Sequence, residues 1–228
     1  MIYYTGDIHG QPHKIVNFCD KYSLTEEDVI VILGDVGANY YGDERDNRLK
    51  KALAKLPPTI FCIHGNHERR PYTVYGYKEI EWHGGMVWQQ EQYPRLLFAN
   101  DGDIYDLDGR STIVIGGAYS VDKYYRLARG ISWFSDEQPS EDTKRKIENV
   151  LAERNWTIDQ VLSHTCPIKY TPTEAFMPSV NQALVDKTTE EWLDSIEDKL
   201  TYNRWFCGHW HIDKTIDGLY FLMDGFIT

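Results

Sequence analysis

Three short apolar segments near the start of the chain each lead into a glycine and then a residue that can bind metal. The segments are Ile2–Thr5, 29–33 and Thr59–Cys62, and they lead to Gly6-Asp7, Gly34-Asp35 and Gly65-Asn66. Apolar stretches of this length between turn residues are typical of buried strands. Parallel strands place ligands at their carboxyl ends, so three such endings in order predict a shared site. Gly65 is expected to allow a sharp turn there.

A segment with the residue pattern of a helix follows each of the first two predicted strands. Residues 15–22 carry apolar side chains three and four positions apart, and residues 43–55 form a mixed-charge helix that ends before Pro57. Strands that alternate with helices indicate an α/β fold. Further along, Ser140 and the Thr188-x-x-Glu191 pattern each predict a helix N-cap.

The second half adds short strands and two more endings rich in histidine. Residues 86–115 contain strands separated by turns such as Asp108-Gly109, which predicts a hairpin. A strand at 158–162 leads to Ser163-His164, and a strand at 205–207 leads to the sequence Gly208-His209-Trp210-His211. These endings resemble the earlier ones in placing a potential metal ligand, here an imidazole, shortly after a buried strand.

Residues 121–135 form a polar segment rich in aromatic side chains, and its sequence allows two interpretations. In one, the segment is a surface helix followed by a loop. In the other, it is a wall facing the substrate, with Arg126 available to clamp a phosphate group. The sequence favours neither.

Composition narrows the classes of function. The chain of 228 residues predicts one domain, covering residues 1–228, and the net charge of −11 disfavours an extended groove for nucleic acid. No segment approaches the ~18 apolar residues of a membrane span, and no signal peptide is visible. The four cysteines form no CxxC pair, and Cys19 and Cys62 lie in apolar patterns that indicate buried thiols, so we expect a cytoplasmic protein.

The strand-end residues carry ligands of mixed chemistry: Asp7, His9, Asp35, Asn66, His164, His209 and His211. Carboxylate, imidazole and amide oxygen suit Mn²⁺, with Fe or Zn²⁺ as alternatives. Seven ligands are too many for one tetrahedral ion, but they suit two ions that share a carboxylate. Such a pair activates water and polarises a phosphoryl oxygen. A histidine near the ions but not bound to them could supply the proton that the leaving group needs.

Five sequence blocks together resemble the calcineurin-like metallophosphoesterase family, in particular its bacterial and phage members related to serine/threonine phosphatases. The blocks are Gly-Asp-x-His-Gly at 6–10, Gly-Asp at 34–35, Gly-Asn-His-Glu at 65–68, His164 and Gly-His-x-His at 208–211. Their order and spacing agree along nearly the whole chain.

The resemblance implies a four-layer α-β-β-α sandwich of two mixed sheets, with the dimetal site at the strand ends. One ion would be held by Asp7, His9, Asp35 and His211, and the other by Asp35, Asn66, His164 and His209. Asp35 would then bridge the ions and support catalysis. The resemblance also implies a bridging water or hydroxide as the nucleophile and His67 as the general acid.

The sequence departs from the protein phosphatases after the second Gly-Asp. Ala38 and Asn39 stand where those enzymes have an acid and an arginine. The usual partner of the catalytic histidine and one phosphate clamp are therefore missing. Asn39, Arg69 and Arg126 are the candidates to bind substrate in their place.

Three functions fit these observations. The first is a phosphomonoesterase that acts on a phosphoprotein, a nucleotide or another small ester. The second is a phosphodiesterase for small nucleotide diesters, and the third is a non-catalytic scaffold of the same fold. A scaffold could lose ligands, whereas all seven candidate ligands and His67 are present.

Overall fold

The computed structural model describes residues 1–228 as two six-stranded sheets flanked by helices. The strands are β1 (Ile2–Thr5), β2 (Val29–Ile32), β3 (Thr59–Cys62), β4 (Tyr77–Trp82), β5 (Gly85–Gln90), β6 (Leu96–Ala99), β7 (Ile104–Asp106), β8 (Ser111–Ile115), β9 (Gln160–Ser163), β10 (Arg204–Cys207), β11 (Lys214–Ile216) and β12 (Leu219–Phe221). The helices are α1 (His13–Tyr22), α2 (Glu44–Leu53), α3 (Lys123–Arg129), α4 (Glu141–Glu153) and α5 (Thr188–Glu197).

Both sheets are mixed, and each contains four neighbouring parallel strands. The first has the order β1-β2-β3-β6-β5-β4, in which β1, β2, β3 and β6 are parallel and β5 is antiparallel to both of its neighbours, β6 and β4. The second has the order β11-β12-β10-β9-β8-β7, with four parallel central strands and an antiparallel strand at each edge. A helix follows each of β1 and β2, as the sequence predicts.

Alternation along the central strands explains the layers. Val29 and Val31 point into the core between the two sheets, whereas Ile30 and Ile32 point to the opposite face and pack with residues of α1 and α2. A third core joins the second sheet to α4 and α5. Three apolar cores require four layers, so the predicted α-β-β-α sandwich is confirmed.

The predicted helix caps have different outcomes. The Ser140 hydroxyl accepts a hydrogen bond from the Thr143 N–H at 3.1 Å, which confirms the N-cap of α4. The predicted cap at Thr188 is wrong, because Thr188 is already the first residue of α5. Its N–H and hydroxyl instead donate to Asp186, at 2.9 and 2.7 Å.

One strand was not predicted from the sequence. β4 pairs with β5 across a turn at His83 and Gly84, and both turn residues have positive φ. β4 lies at the edge of the first sheet, and its side chains are partly or fully exposed. An exposed edge strand lacks the apolar run on which the strand predictions depend.

The arrangement of strands determines where the polar strand endings meet. The carboxyl ends of β1, β2 and β3 approach those of β9 and β10 across the gap between the two sheets. Gly34 lies so close to His164, and Gly208 so close to Asp7, that a Cβ atom on either glycine would collide with that side chain. No helix of the protein has the length and apolar character needed to cross a membrane.

Candidate metal centre

Asp7, His9 and His211 form one cluster of possible metal ligands at the ends of β1 and β10. The Nε2 atom of His211 lies 3.3 Å from Asp7 Oδ2, and that of His9 lies 3.6 Å from the same oxygen. The two ring nitrogens are 2.9 Å apart. Three ligand atoms from distant parts of the chain therefore converge on one point.

A second cluster lies beside the first. Asn66 Oδ1 is 2.8 Å from His164 Nε2 and 3.0 Å from His209 Nδ1. Asp35 connects the clusters, because its Oδ1 lies 3.6 Å from His164 Nε2 and its Oδ2 lies 3.8 Å from His9 Nδ1. A carboxylate in this position can serve two ions.

Two observations show that these residues suit cations. Asp7 Oδ2 is buried without a hydrogen-bond partner, an arrangement that is costly unless a cation compensates the charge. The Nδ1 atom of His164 lies 2.7 Å from the Leu33 carbonyl oxygen. A carbonyl only accepts, so Nδ1 carries the proton and Nε2 keeps the lone pair that a metal needs.

The backbone at this site is strained. His9, Asp35, His209 and His211 all have φ between 44° and 64°, in the left-handed region that side chains rarely adopt. Such conformations persist only where the surrounding structure holds them, and they concentrate at functional sites. An uncommon backbone conformation therefore sets the side-chain orientation of four of the seven candidate ligands.

The glycines before the ligands make room for ligands from other strands. A side-chain carbon on Gly65 would lie 2.1 Å from Asp35 Oδ1, and one on Gly208 would lie 2.3 Å from Asp7 Oδ1. The φ angle of Gly65 is not in the positive region. Gly65 is thus required by close packing against Asp35 and not, as the sequence suggested, by a turn of its own.

Electrostatics within the first cluster favour opposite charges. Burial opposes ionisation of Asp7, but the neighbouring imidazoles, above all that of His211, hold its pKa below the usual range. Proximity to Asp7 in turn raises the pKa of His211. Burial lowers the pKa of His209 well below its ordinary value, so that ring is neutral and able to act as a ligand.

His67 faces the same cavity without being part of either cluster. Its N–H donates to Asp35 Oδ1 at 2.8 Å, which fixes the backbone, and its Nε2 lies 4.0 Å from Asp35 Oδ2. Burial lowers the pKa of His67, and Asp35 opposes that effect. A histidine so placed can exchange a proton with a bound group.

Arg126 lies beside His67. Its Nη2 atom lies 3.5 Å from His67 Nε2. The guanidinium is held by both carboxylate oxygens of Asp122 at 2.8 Å and by the Tyr40 hydroxyl at 2.8 Å. The segment that carries it forms α3, and Tyr119, Val121, Asp122 and Tyr125 line the cavity beside it.

The other two candidate substrate residues are placed differently. Asn39 is buried, and its side-chain oxygen accepts a hydrogen bond from the Tyr77 hydroxyl at 3.0 Å. Arg69 is exposed, and its guanidinium lies beside Gly42. Neither lines the cavity. Their roles in binding substrate stay predictions.

Several supporting residues were not identified from the sequence. The Asn66 amide nitrogen donates to the Ser120 hydroxyl at 2.9 Å, which turns the amide oxygen toward the histidines. Glu137 in turn accepts a hydrogen bond from the Ser120 N–H at 3.2 Å. Ser120 follows a strand that ends in two glycines, and that glycine pair was the only available signal.

Lys14 and Glu68 hold the backbone around the ligands. Lys14 Nζ donates to the carbonyls of Gly6 and Asp7, at 3.2 and 3.0 Å, and also to that of Met223. Buried Glu68 accepts the Gly65 N–H at 3.1 Å. Burial raises the pKa of Glu68 to about 8. Glu68 was visible within the Gly-Asn-His-Glu block, whereas nothing in the sequence marked Lys14.

Comparison with known proteins agrees with this geometry. The model of the calcineurin-like phosphoesterase family matches residues 1–213. The chain belongs to this family. The resemblance seen in the sequence is therefore confirmed, and membership of the family supports hydrolysis of a phosphoester. The family depends on two metal ions, and this protein has Asp and His clusters that could hold them.

The curated relatives match only part of the chain. The serine/threonine-protein phosphatase 4 catalytic subunit of Candida glabrata is 37% identical over 89 residues, which is 37% of this chain and 29% of that protein. The subunit of the same name from Saccharomyces cerevisiae is 36% identical over the same coverage. The matched region spans less than a third of these relatives.

Among solved structures, protein TT1561 of Thermus thermophilus is similar in fold. The TM-score is 0.54 with 12% sequence identity, and the match covers 97% of this chain and 87% of that one. At this identity the likeness shows the fold alone, and it agrees with the two mixed sheets and flanking helices described above.

Proposed function

We propose that this protein is a dimetal-dependent phosphomonoesterase, that is, a phosphatase. The observation that carries the proposal is the position of Asp35 between two clusters of ligands, with His67 beside them. One ion is assigned to Asp7, His9, Asp35 and His211, and the other to Asp35, Asn66, His164 and His209. When bound, two such ions polarise a phosphoryl oxygen and lower the pKa of bound water.

The chain's own side chains supply the remaining functions. We assign His67 as the general acid, which donates a proton from Nε2 to the leaving oxygen of the ester. Arg126 is assigned to a phosphoryl oxygen, since its guanidinium is fixed by Asp122 and Tyr40 and lies 3.5 Å from that nitrogen. Arg126 would thus replace the arginine that Asn39 displaces from the phosphatase motif.

Mn²⁺ is the proposed metal, because carboxylate, imidazole and amide oxygen form the ligand set without thiolate. The proposed substrate is a phosphorylated molecule, and the partial matches to phosphatases support a monoester. The four cysteines are buried free thiols, which supports a reducing compartment such as the cytoplasm.

The test is hydrolysis of two matched esters, nitrophenyl phosphate and bis-nitrophenyl phosphate, after removal of metal by a chelator. We expect activity to disappear with the metal and to return when Mn²⁺ is added, with the monoester cleaved faster. Faster cleavage of the diester would replace the proposal with a phosphodiesterase. No cleavage of either ester by protein shown to contain metal would favour a non-catalytic scaffold.

A further inference from the structure

The cavity that contains the metal centre is much larger than a phosphoryl group requires. Its volume is about 760 Å³, within the range of sites for small molecules. Asp35, Asn66, His67, His209 and His211 line one end. The rest of the cavity extends away from these residues, between α3 and the segment 168–187.

That remaining volume has apolar walls. We call it the apolar chamber, and its apolar lining includes Val121, Tyr125, Phe176, Met177, Val180 and Val185. Tyr125 and Met177 are 59% and 50% exposed, so apolar surface is left open there. Phe176 lies beside Trp210, with ring centroids 6.1 Å apart. Trp210 stands between His209 and His211, so the chamber begins directly next to the ligands.

The charges in the chamber do not favour a second anionic group. Lys169 lines the chamber, but its ammonium lies 2.6 Å from Glu197 and 2.5 Å from Asp198. Lys187 also lines it, together with the acidic side chains of Asp186 and Glu190. A polyphosphate or a nucleic acid would meet these acidic side chains, and Lys187 is the one lining cation outside a salt bridge.

We propose that the apolar chamber binds the alcohol part of the substrate, and that this part is an uncharged, apolar group that contains a ring. The natural substrate is then a small phosphate monoester of such an alcohol. This inference rests on the proposed phosphatase function for its reaction, while the preference for an apolar group rests on the chamber alone. Flat aromatic walls and a volume of this size fit one or two rings.

The experiment compares two esters whose leaving groups have similar reactivity, propyl phosphate and 3-phenylpropyl phosphate. A buried phenyl ring should raise kcat/KM by about 10- to 100-fold. The matching phosphonates, which cannot be hydrolysed at this bond, measure binding alone by calorimetry on the Mn²⁺-loaded protein. The phenyl compound should bind more tightly by a similar factor.

Phe176→Ala should reduce both preferences several-fold, because it removes one wall of the chamber. Leu184→Ala is the matched control, since Leu184 belongs to the same segment, is 74% exposed and does not line the cavity. It should keep the preference of the wild type.

Each outcome separates the two proposals. Tighter binding of the phenyl phosphonate without hydrolysis of either ester would sink the phosphatase function and keep the apolar chamber as a binding site. Hydrolysis of both esters at equal rates, with equal affinity for the two phosphonates, would keep the phosphatase and overturn the chamber. Absence of binding by either phosphonate would also overturn it.

Discussion

The metal centre and the apolar chamber share one cavity but are built in opposite ways. The metal centre consists of side chains at the ends of buried strands, and its Asp7 and Asp35 are 1% and 2% exposed. The chamber consists of α3 and of the segment 168–187, which has only short 3₁₀ turns before α5. Its apolar side chains, among them Tyr125, Phe176 and Met177, are half-exposed or exposed.

The two proposals together assign reaction and recognition to different parts of the molecule. Groups that must be held within fractions of an ångström lie on the sheets, where backbone hydrogen bonds and close packing fix them. The groups proposed to select a substrate lie on connecting segments, which can change without loss of the core. Substitutions in the two regions should therefore change different quantities.

The largest expected effect is that of His67→Asn on the metal side. Loss of the general acid should lower kcat by about 10²- to 10⁴-fold while the content of bound metal stays the same. Metal analysis and steady-state kinetics on the same sample measure both. His13→Asn, at an exposed position in α1, is the control. Activity that survived His67→Asn would remove this residue from the mechanism.

Ser120→Ala should have a smaller effect, again confined to the metal side. The Asn66 amide would lose the acceptor that orients it at 2.9 Å, and an affected ligand typically weakens metal binding by about 10- to 100-fold. Titration with Mn²⁺ measures this, with Ser179→Ala at an exposed position as the control. Equal affinity in both variants would show that Ser120 does not position Asn66.

The smallest expected effect is on stability, from Glu190→Gln at the chamber side. The Glu190 carboxyl accepts a hydrogen bond from the Thr165 hydroxyl at 2.8 Å, and its other oxygen is buried without a partner. Burial raises the pKa of Glu190 from 4.5 to about 7; Asp186 adds to this rise, and Thr165 and His164 oppose it.

A carboxyl whose pKa is raised by folding destabilises the folded protein as pH increases, because the buried group must ionise. The wild type should thus lose stability between about pH 4.5 and 7 relative to Glu190→Gln. The difference above pH 7 should be on the order of 1–3 kcal/mol. Denaturant unfolding at pH 5 and 8 measures it, with Glu191→Gln on the exposed side of α5 as the control. Parallel pH profiles would contradict the raised pKa.

Much of the fold and of the candidate site could be predicted from local sequence. Apolar runs in the sequence predict buried parallel strands, so the bounds of β1, β2 and β3 were predicted to within a residue or two. The pattern of strand endings also named the ligands that the structure brings together. Their roles in binding metal stay predictions. β4 was missed because an exposed edge strand carries no such run.

The sequence by itself therefore determined the sheets, the family and the residues at the strand ends, because these depend on periodicity and on neighbours along the chain. The tertiary structure decided that Arg126 lies beside His67, 59 residues away in sequence, and that Gly65 makes room for Asp35. It also decided that α3 and residues 168–187 enclose an apolar chamber. These features depend on contacts between distant segments without periodic patterns, and only the packing of the two sheets brings such segments together.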